Sequence, residues 1–401
     1  MPHQASAGRE AKADLVVTLH AEGPPENEIR VESSAGRLFG DRIREVADTT
    51  LRILGVKNTS VEIRDRAAFD WTIMARVEAA AKRLYPNLEG EALPERVSET
   101  RPTLRDRMRR SRLYLPGNNP DLMQNAGLFQ PDGVILDLED SVAPAEKDAA
   151  RILVRNALRA VDFGDAERMV RINPTPSGLQ DLPALIPQHV NMILVPKAES
   201  GSDITEAANA INQIATRVGM TDPIWLMPIL ESAKGIWLAY EIASASEQVA
   251  AIAFGAEDFT RDVQAERTVE GRESFVARSM VVLGARAAGV QPIDTVFSDV
   301  ENEEGLRAST TEAISLGFEG KGCIHPRQIK VIHETFRPAD ADITYALRVK
   351  AAMEEAERTG SGVISLGTKM VDPPVVARAL RTLRVAEEMG IDCSALAPKQ
   401  D

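Results

Sequence analysis

At 401 residues the chain has room for one large core and a smaller unit beside it. It is 44% hydrophobic, 27% charged and 4% aromatic, an ordinary α/β composition, and its net charge of −13 argues against nucleic acid or an anionic membrane as partner, while a phosphorylated cofactor needs only a few placed cations. The two cysteines, Cys323 and Cys393, form no C-x-x-C pair, which speaks against a disulfide framework or structural zinc and fits a reducing cytoplasm; the opening MPHQASAGREAKADLVV lacks the apolar core of a secretory leader.

Residues 1–88 read as a small α+β unit. Leu15–His20, Glu28–Val31 and Ser60–Ile63 have strand character, and helices are expected over Asp41–Leu54 and from Phe69 to Leu84. Residues 89–108 continue a charged, proline-bearing stretch with linker composition. Between residues 109 and 338, short apolar runs alternate with helical stretches: Arg112–Pro116, Gly133–Leu138, Met169–Ile172, Met192–Pro196, Ile224–Glu231, Val249–Gly255, Gln291–Phe297 and Gly322–His325. Eight runs, apolar nearly throughout, match the repeat of a (β/α)8 TIM barrel whose strands are buried on both faces. An open doubly wound sheet is the competitor, but no G-x-G-x-x-G follows a first strand. Residues 339–401 form a tail with a helix over Asp340–Thr359, a bend at GSGVISLGTK and a second helix from Pro373. With few apolar positions of its own, this helical arm is expected to dock on a barrel.

Barrel active sites lie at the C-terminal ends of the strands. Here those ends are unusually polar: Asp137, Glu139 and Asp140; Arg171 and Asn173; Lys197 and Glu199; Glu231; Glu257 and Asp258. Acids interleaved with Arg and Lys suit a divalent cation bound together with an anionic substrate. Mg²⁺ takes one or two protein carboxylates and keeps waters or substrate oxygens for the rest, and Glu231 and Asp258 on adjacent strands suit that role, with Mn²⁺ as the alternative ion. Singly, each residue has a plainer reading. The DLED run is also a good N-cap cluster, Lys197 can pair with Glu199, and Arg171 can sit in a structural ion pair. His325 in CIHP reads as a loop-bracing histidine. Arg110 could clamp a phosphate or be one more solvated arginine of RDRMRRSR.

From Arg110 to about Pro338 the chain resembles the citrate lyase β-subunit family, with its malyl-CoA and citramalyl-CoA lyases, of the HpcH/HpaI aldolase type. The matching segments are RSRLYLPGNNP, GVILDLEDSVAPAEKDAAR, VRINP, ILVPKAES, PILESAKGI, AFGAEDF and GFEGKGCIHPRQI. The resemblance implies Mg²⁺ on Glu231 and Asp258, the oxo-acid end of the substrate on Arg171, and metal-bound water oriented by Glu139 and Asp140. TKMVDPP resembles the family's C-terminal lid, whose Asp, here Asp372, serves as acid/base in a neighbouring subunit; Gly367-Thr368 stands where the family has Asp-Gly. That implies a homo-oligomer, a trimer or a multiple of it.

The first 88 residues resemble the citrate lyase γ-chain, an acyl carrier, through ASAG, RVESSAGRLFGDRIR and GVKNTSVEIRDRAAFDWTIMARVEAA. Where that family carries its arm-bearing serine this chain has Lys12, and Ser6 lies on the other side of Gly8, so no covalent prosthetic group is expected. Together these features lead to the expectation of a cytoplasmic Mg²⁺-dependent carbon–carbon lyase. It would cleave or form a 3-hydroxyacyl-CoA thioester of malyl, citramalyl or citryl type, with Arg110, Lys197 and Arg171 as substrate- or CoA-binding residues. The alternatives are the β-subunit of a citrate lyase complex, a malyl-type thioester hydrolase, and a non-catalytic docking subunit.

Overall fold

The computed structural model describes residues 3–24, 26–97, 101–268, 270–360, 364–366 and 369–396. At the N-terminus, β1 (Gln4–Gly8), β2 (Leu15–His20), β3 (Glu28–Ser33) and β4 (Ser60–Asp65) form a mixed sheet in the order β1-β2-β4-β3, with only β3 and β4 parallel. Two helices, α1 (Gly36–Ile53) and α2 (Asp70–Leu84), pack on it. Helix α2 is buried on nearly every side, because it lies between this sheet and a barrel helix. Its alanines, Ala75 and Ala79–Ala81, let both neighbours approach. Strand β1 has no counterpart in the sequence reading: ASAG is too small and polar to carry a strand pattern, and β1 is held by its antiparallel register with β2.

The barrel strands are β5 (Ser111–Pro116), β6 (Gly133–Asp137), β7 (Glu167–Arg171), β8 (Met192–Val195), β9 (Trp225–Leu230), β10 (Ala251–Phe254), β11 (Gln291–Asp294) and β12 (Gly320–Cys323). All pair in parallel, and β12 closes on β5. The last strand begins two residues earlier than its apolar pattern suggests, which leaves His325 in the loop beyond it. Alternation along the strands sends one set of side chains inward, including Ile135, Met169, Leu194, Met227 and Ile229, while Val134, Leu136, Ile193 and Val195 face the helices.

Ion pairs, one fully buried and one at the surface, join the N-terminal unit to the barrel. Glu78 on α2 accepts from both Arg155 terminal nitrogens at 2.9 and 2.7 Å, across to the barrel helix Lys147–Ala160. Arg83 clamps Asp148 at 2.8 and 2.7 Å and donates to the Ser6 carbonyl at 2.7 Å. The tail corrects the expectation that it lacks a core. Asp340–Thr359 and Pro373–Glu388 pack together around Ile343, Val349, Val371, Val376 and Leu383. Polar pairs, Arg381 with Glu319 and Arg384 with Asp106, tie this helical hairpin to the barrel. Among the described residues no helix is long and apolar enough to cross a membrane.

Candidate active site

The inward register that fills the barrel also builds the site. Asp137 lies two residues beyond Ile135, Arg171 two beyond Met169, and Glu231 two beyond Ile229, so all three continue the inward rows past the apolar layer. They line a cavity of about 1100 Å³ at the C-terminal end of the strands, together with Asp140, Glu257 and Asp258.

Asp137 and Arg171 are register partners on β6 and β7, and the guanidinium forks onto the carboxylate at 2.6 and 2.7 Å. Burial alone would raise Asp137, but the Arg171 hydrogen bonds and charge outweigh it and hold the carboxyl below its ordinary value. Burial likewise works against the Arg171 cation, and Asp137 more than offsets it. Arg171 also lies 5.4 Å from the centre of the Tyr114 ring. Its Nη1 is 2.9 Å from Glu139 Oε2, an ion-pair contact without hydrogen-bond alignment.

Lys197 follows β8 in a left-handed conformation, φ +51°, uncommon for a residue with a Cβ. That conformation lets its two ends work separately. The backbone N–H donates to Glu231 Oε1 at 2.8 Å, while the ammonium pairs with Glu139, with Asp140 at 3.3 Å and with Asp258 at 3.8 Å. Glu199 pairs instead with Lys234, at 3.5 Å. Burial opposes the Lys197 charge but Glu139 and its neighbours hold the pKa above the ordinary value. Glu139 is raised, by burial first and then by the nearby Asp140.

Glu231 is the outlier. Burial and then the charges of Asp258 and Glu139 push its carboxyl up to about 8, against the Lys197 backbone N–H and the charge of Arg171. A Cβ on Gly255 would stand 2.5 Å from Glu231 Oε2, so glycine there leaves room for the carboxylate. Two hard carboxylates beside each other, one poorly neutralised, are a donor set that fits Mg²⁺. Among the described residues no group of three or more His, Cys, Asp or Glu converges, so such an ion would complete its shell with water or substrate.

Of the predicted site residues, the cavity lining among the described residues includes none of Arg110, Glu139, Lys197 and Asp372; Glu139 and Lys197 stand behind it, paired with each other. Arg110 stands just before β5, at the opposite end of the barrel, with its side chain forked onto Asp132 at 2.9 and 2.8 Å, so a phosphate-clamping role in this cavity does not fit its position. Asp372 is the N-cap of the second arm helix. Gly367-Thr368 lies outside the described residues. Sequence reasoning missed several lining residues, among them Arg112 and Lys12. Arg112 is fully buried and, among the described residues, has no carboxylate partner: it donates to Met227 Sδ at 3.0 Å and the Asp294 carbonyl at 3.3 Å, and its Nε is unpaired there. Its place on the inward row with Tyr114 was the available signal. Lys12, from the N-terminal unit, reaches the same cavity.

The family model for HpcH/HpaI aldolase/citrate lyase matches residues 110–326. The chain belongs to this family. A second model, for the malonate decarboxylase delta subunit, an acyl carrier protein family, matches residues 2–84. Relatives of the HpcH/HpaI region include the citrate lyase subunit beta of Leuconostoc mesenteroides subsp. cremoris, 41% identical over 284 residues, covering 70% of this chain and 94% of the relative. The (3S)-malyl-CoA thioesterase of Cereibacter sphaeroides (strain ATCC 17025) is 35% identical over 280 residues, covering 69% and 94%. Among solved structures, CitE from Mycobacterium tuberculosis in complex with magnesium, acetoacetate and coenzyme A aligns with a TM-score of 0.57 at 32% identity, covering 71% of this chain and all of that one. The same protein with magnesium and pyruvate gives 0.53 at 30%, over 70% and 100%. The chain is thus a citrate lyase β-family enzyme of the oxo-acid lyase class, with an N-terminal unit of acyl-carrier type.

Proposed function

We propose that this HpcH/HpaI enzyme is a Mg²⁺-dependent lyase that cleaves or forms a 3-hydroxyacyl-CoA thioester of malyl, citramalyl or citryl type, giving an acetyl-type CoA and a 2-oxo acid. The observation that carries the reading is that the Glu231 and Asp258 carboxylates, from the ends of adjacent barrel strands, line one cavity with Arg171. Glu231 and Asp258 would hold Mg²⁺, which when bound supplies positive charge at the oxo-acid end. Arg171, fixed by Asp137, adds charge and direction at that end. Asp140, with Glu139 behind it, orients water at the metal edge. Asp372 enters from a second copy of the chain, takes the hydroxyl proton as the carbon–carbon bond breaks, and returns a proton to the thioester enolate. The bond's electron pair moves to the thioester α-carbon, so the acetyl-type thioester and the 2-oxo acid leave in balance.

The (3S)-malyl-CoA thioesterase relatives favour a second reading, in which the same site also hydrolyses the thioester. The citrate lyase subunit beta relatives favour a third, with carrier-bound citryl as substrate. A panel of CoA thioesters with Mg²⁺ separates them. Release of a 2-oxo acid with acetyl-type CoA is expected. Free CoA in its place supports the hydrolase, and turnover only of carrier-bound thioesters would overturn the free-CoA reading.

A further inference from the structure

We infer that the N-terminal carrier-like unit serves as a fixed wall of the barrel's substrate cavity, and that Lys12 on it binds the phosphate-bearing end of the thioester. The inference rests on the CoA-thioester reading for its ligand class, and adds a binding residue from outside the barrel.

The loop that carries Lys12 is immobilised against the barrel at several points. Gly8 has φ +95°, and a Cβ there would stand 1.9 Å from the Leu15 carbonyl oxygen, so only glycine permits the turn. Asp14, fully buried, accepts from Arg76 Nε at 2.9 Å and Nη2 at 2.8 Å. The same Nη2 donates to the Asn118 carbonyl at 3.1 Å, and Arg9 donates to that carbonyl at 2.7 Å. Asn118 lies in the loop that follows β5, so the Lys12 loop is bolted to the rim of the barrel. Buried Glu78–Arg155 holds the rest of the unit in place.

Lys12 is presented rather than consumed there. Its side chain is 84% exposed, lines the cavity, and has one carboxylate partner, Asp121, at 3.1 Å and 31% exposed. An exposed pair of this kind is weak, and the ammonium can turn to a better anion. The surroundings specify which anion. The acids of the metal end come from the ends of β6, β9 and β10. The rim above β12 and β5 instead carries the exposed apolar side chains Leu122, Phe129 and Ile324, with Lys12 and Arg327 as cations. That sector suits a ligand with an apolar arm and a phosphorylated end, while its reacting end lies among the carboxylates.

Coenzyme A and pantetheine, which lacks the phosphates, are the probes, and calorimetric binding to the full-length protein is the readout, independent of turnover. Lys12→Glu should weaken CoA binding about tenfold, less at high salt, and leave pantetheine binding unchanged. Asp121→Asn should tighten CoA binding severalfold by freeing the ammonium, an effect that a folding defect cannot imitate. Unchanged CoA affinity in Lys12→Glu, or equal losses for CoA and pantetheine, would overturn the inference. Failure of the wild-type protein to bind CoA would overturn it too, whereas CoA binding without release of any 2-oxo acid would sink the reaction assignment and leave the wall standing.

Discussion

Replacing Glu78 with alanine should loosen the N-terminal unit from the barrel and cost about 3–5 kcal/mol, because it leaves a buried guanidinium without its counter-ion. Glu78 is fully buried and accepts four hydrogen bonds: two from Arg155, one from Lys82 at 2.8 Å and one from the Ala92 backbone at 2.7 Å. Arg155 would retain the Asn156 side-chain oxygen, the Ala92 carbonyl and Glu91 at 3.3 Å, which puts the loss toward the lower end of the range. For a cooperative unit of roughly 340 residues the unfolding entropy is about 0.7 kcal/mol/K, so a loss of about 3 kcal/mol lowers Tm by about 4 °C. Burial raises the Glu78 carboxyl, but Arg155 outweighs it and the folded-state value is lowered. Its contribution is therefore present above the unfolded carboxylate value of about 4.3 and lost as pH falls through the folded one. Scanning calorimetry at neutral and acid pH should show the difference between wild type and Glu78→Ala shrinking in acid. A double replacement, Glu78→Leu with Arg155→Met, should recover most of the loss. A Glu78→Ala protein that melts within 1 °C of wild type near neutral pH, roughly the noise of such a comparison, would refute the argument.

Glu231→Ala or Asp258→Ala should abolish turnover, and excess EDTA should do the same to the wild type; because Glu231 holds its proton up to about 8, Mg²⁺ should bind more tightly as pH rises toward that value, with proton uptake by the buffer measurable by calorimetry. Flat affinity from pH 6 to 8 would remove Glu231 from the metal site. Mixing inactive Asp372→Ala with inactive Arg171→Ala chains should restore part of the activity after verified subunit exchange, and no recovery would mean that each arm serves its own barrel. Intact mass and peptide mapping of protein from its native host should show no prosthetic arm on this unit, since Lys12 offers no hydroxyl for a phosphodiester. Ser6 and Thr18 are engaged with each other at 2.9 Å. An added mass of several hundred daltons on this unit would reverse that conclusion.

The barrel was legible because its strands are apolar runs at a regular spacing, a signal set by burial on both faces. The polar strand ends followed from the same pattern, since a period of two fixes which residue after an apolar inward position faces the cavity. Arg112 shows the limit: a charged residue inside an apolar run looks like a boundary, and its burial depends on Met227 and Asp294, which lie far away in sequence. The tail core was missed for a similar reason. Val349 and Leu383 are spaced along separate helices, and neither helix alone has enough apolar surface to suggest a core. Lys12 could not have been placed in the cavity from sequence, because its position depends on how the N-terminal unit docks on the barrel.

The charges around the cavity explain why Glu231, among so many acids, is the one pushed up to about 8. Arg171 neutralises Asp137 and contacts Glu139, and Lys197 pairs with Glu139 and Asp140. Arg261 meets Asp258 at 2.5 Å, and Arg267 meets Glu257. Among the described residues Glu231 receives only the Lys197 backbone N–H. Asp258 meets the three-quarters-exposed Arg261, a partner easily displaced into water, and the Lys197 ammonium only at 3.8 Å. Glu231 and Asp258 are therefore the neighbouring oxygen donors whose charge the surrounding cations compensate least once Glu231 gives up its proton. A cation entering there gains the attraction of both carboxylates without having to break the Asp137–Arg171 fork. On the proposed assignment, the Asp137–Arg171 pair that would orient substrate can stay fixed while a metal ion binds at Glu231 and Asp258.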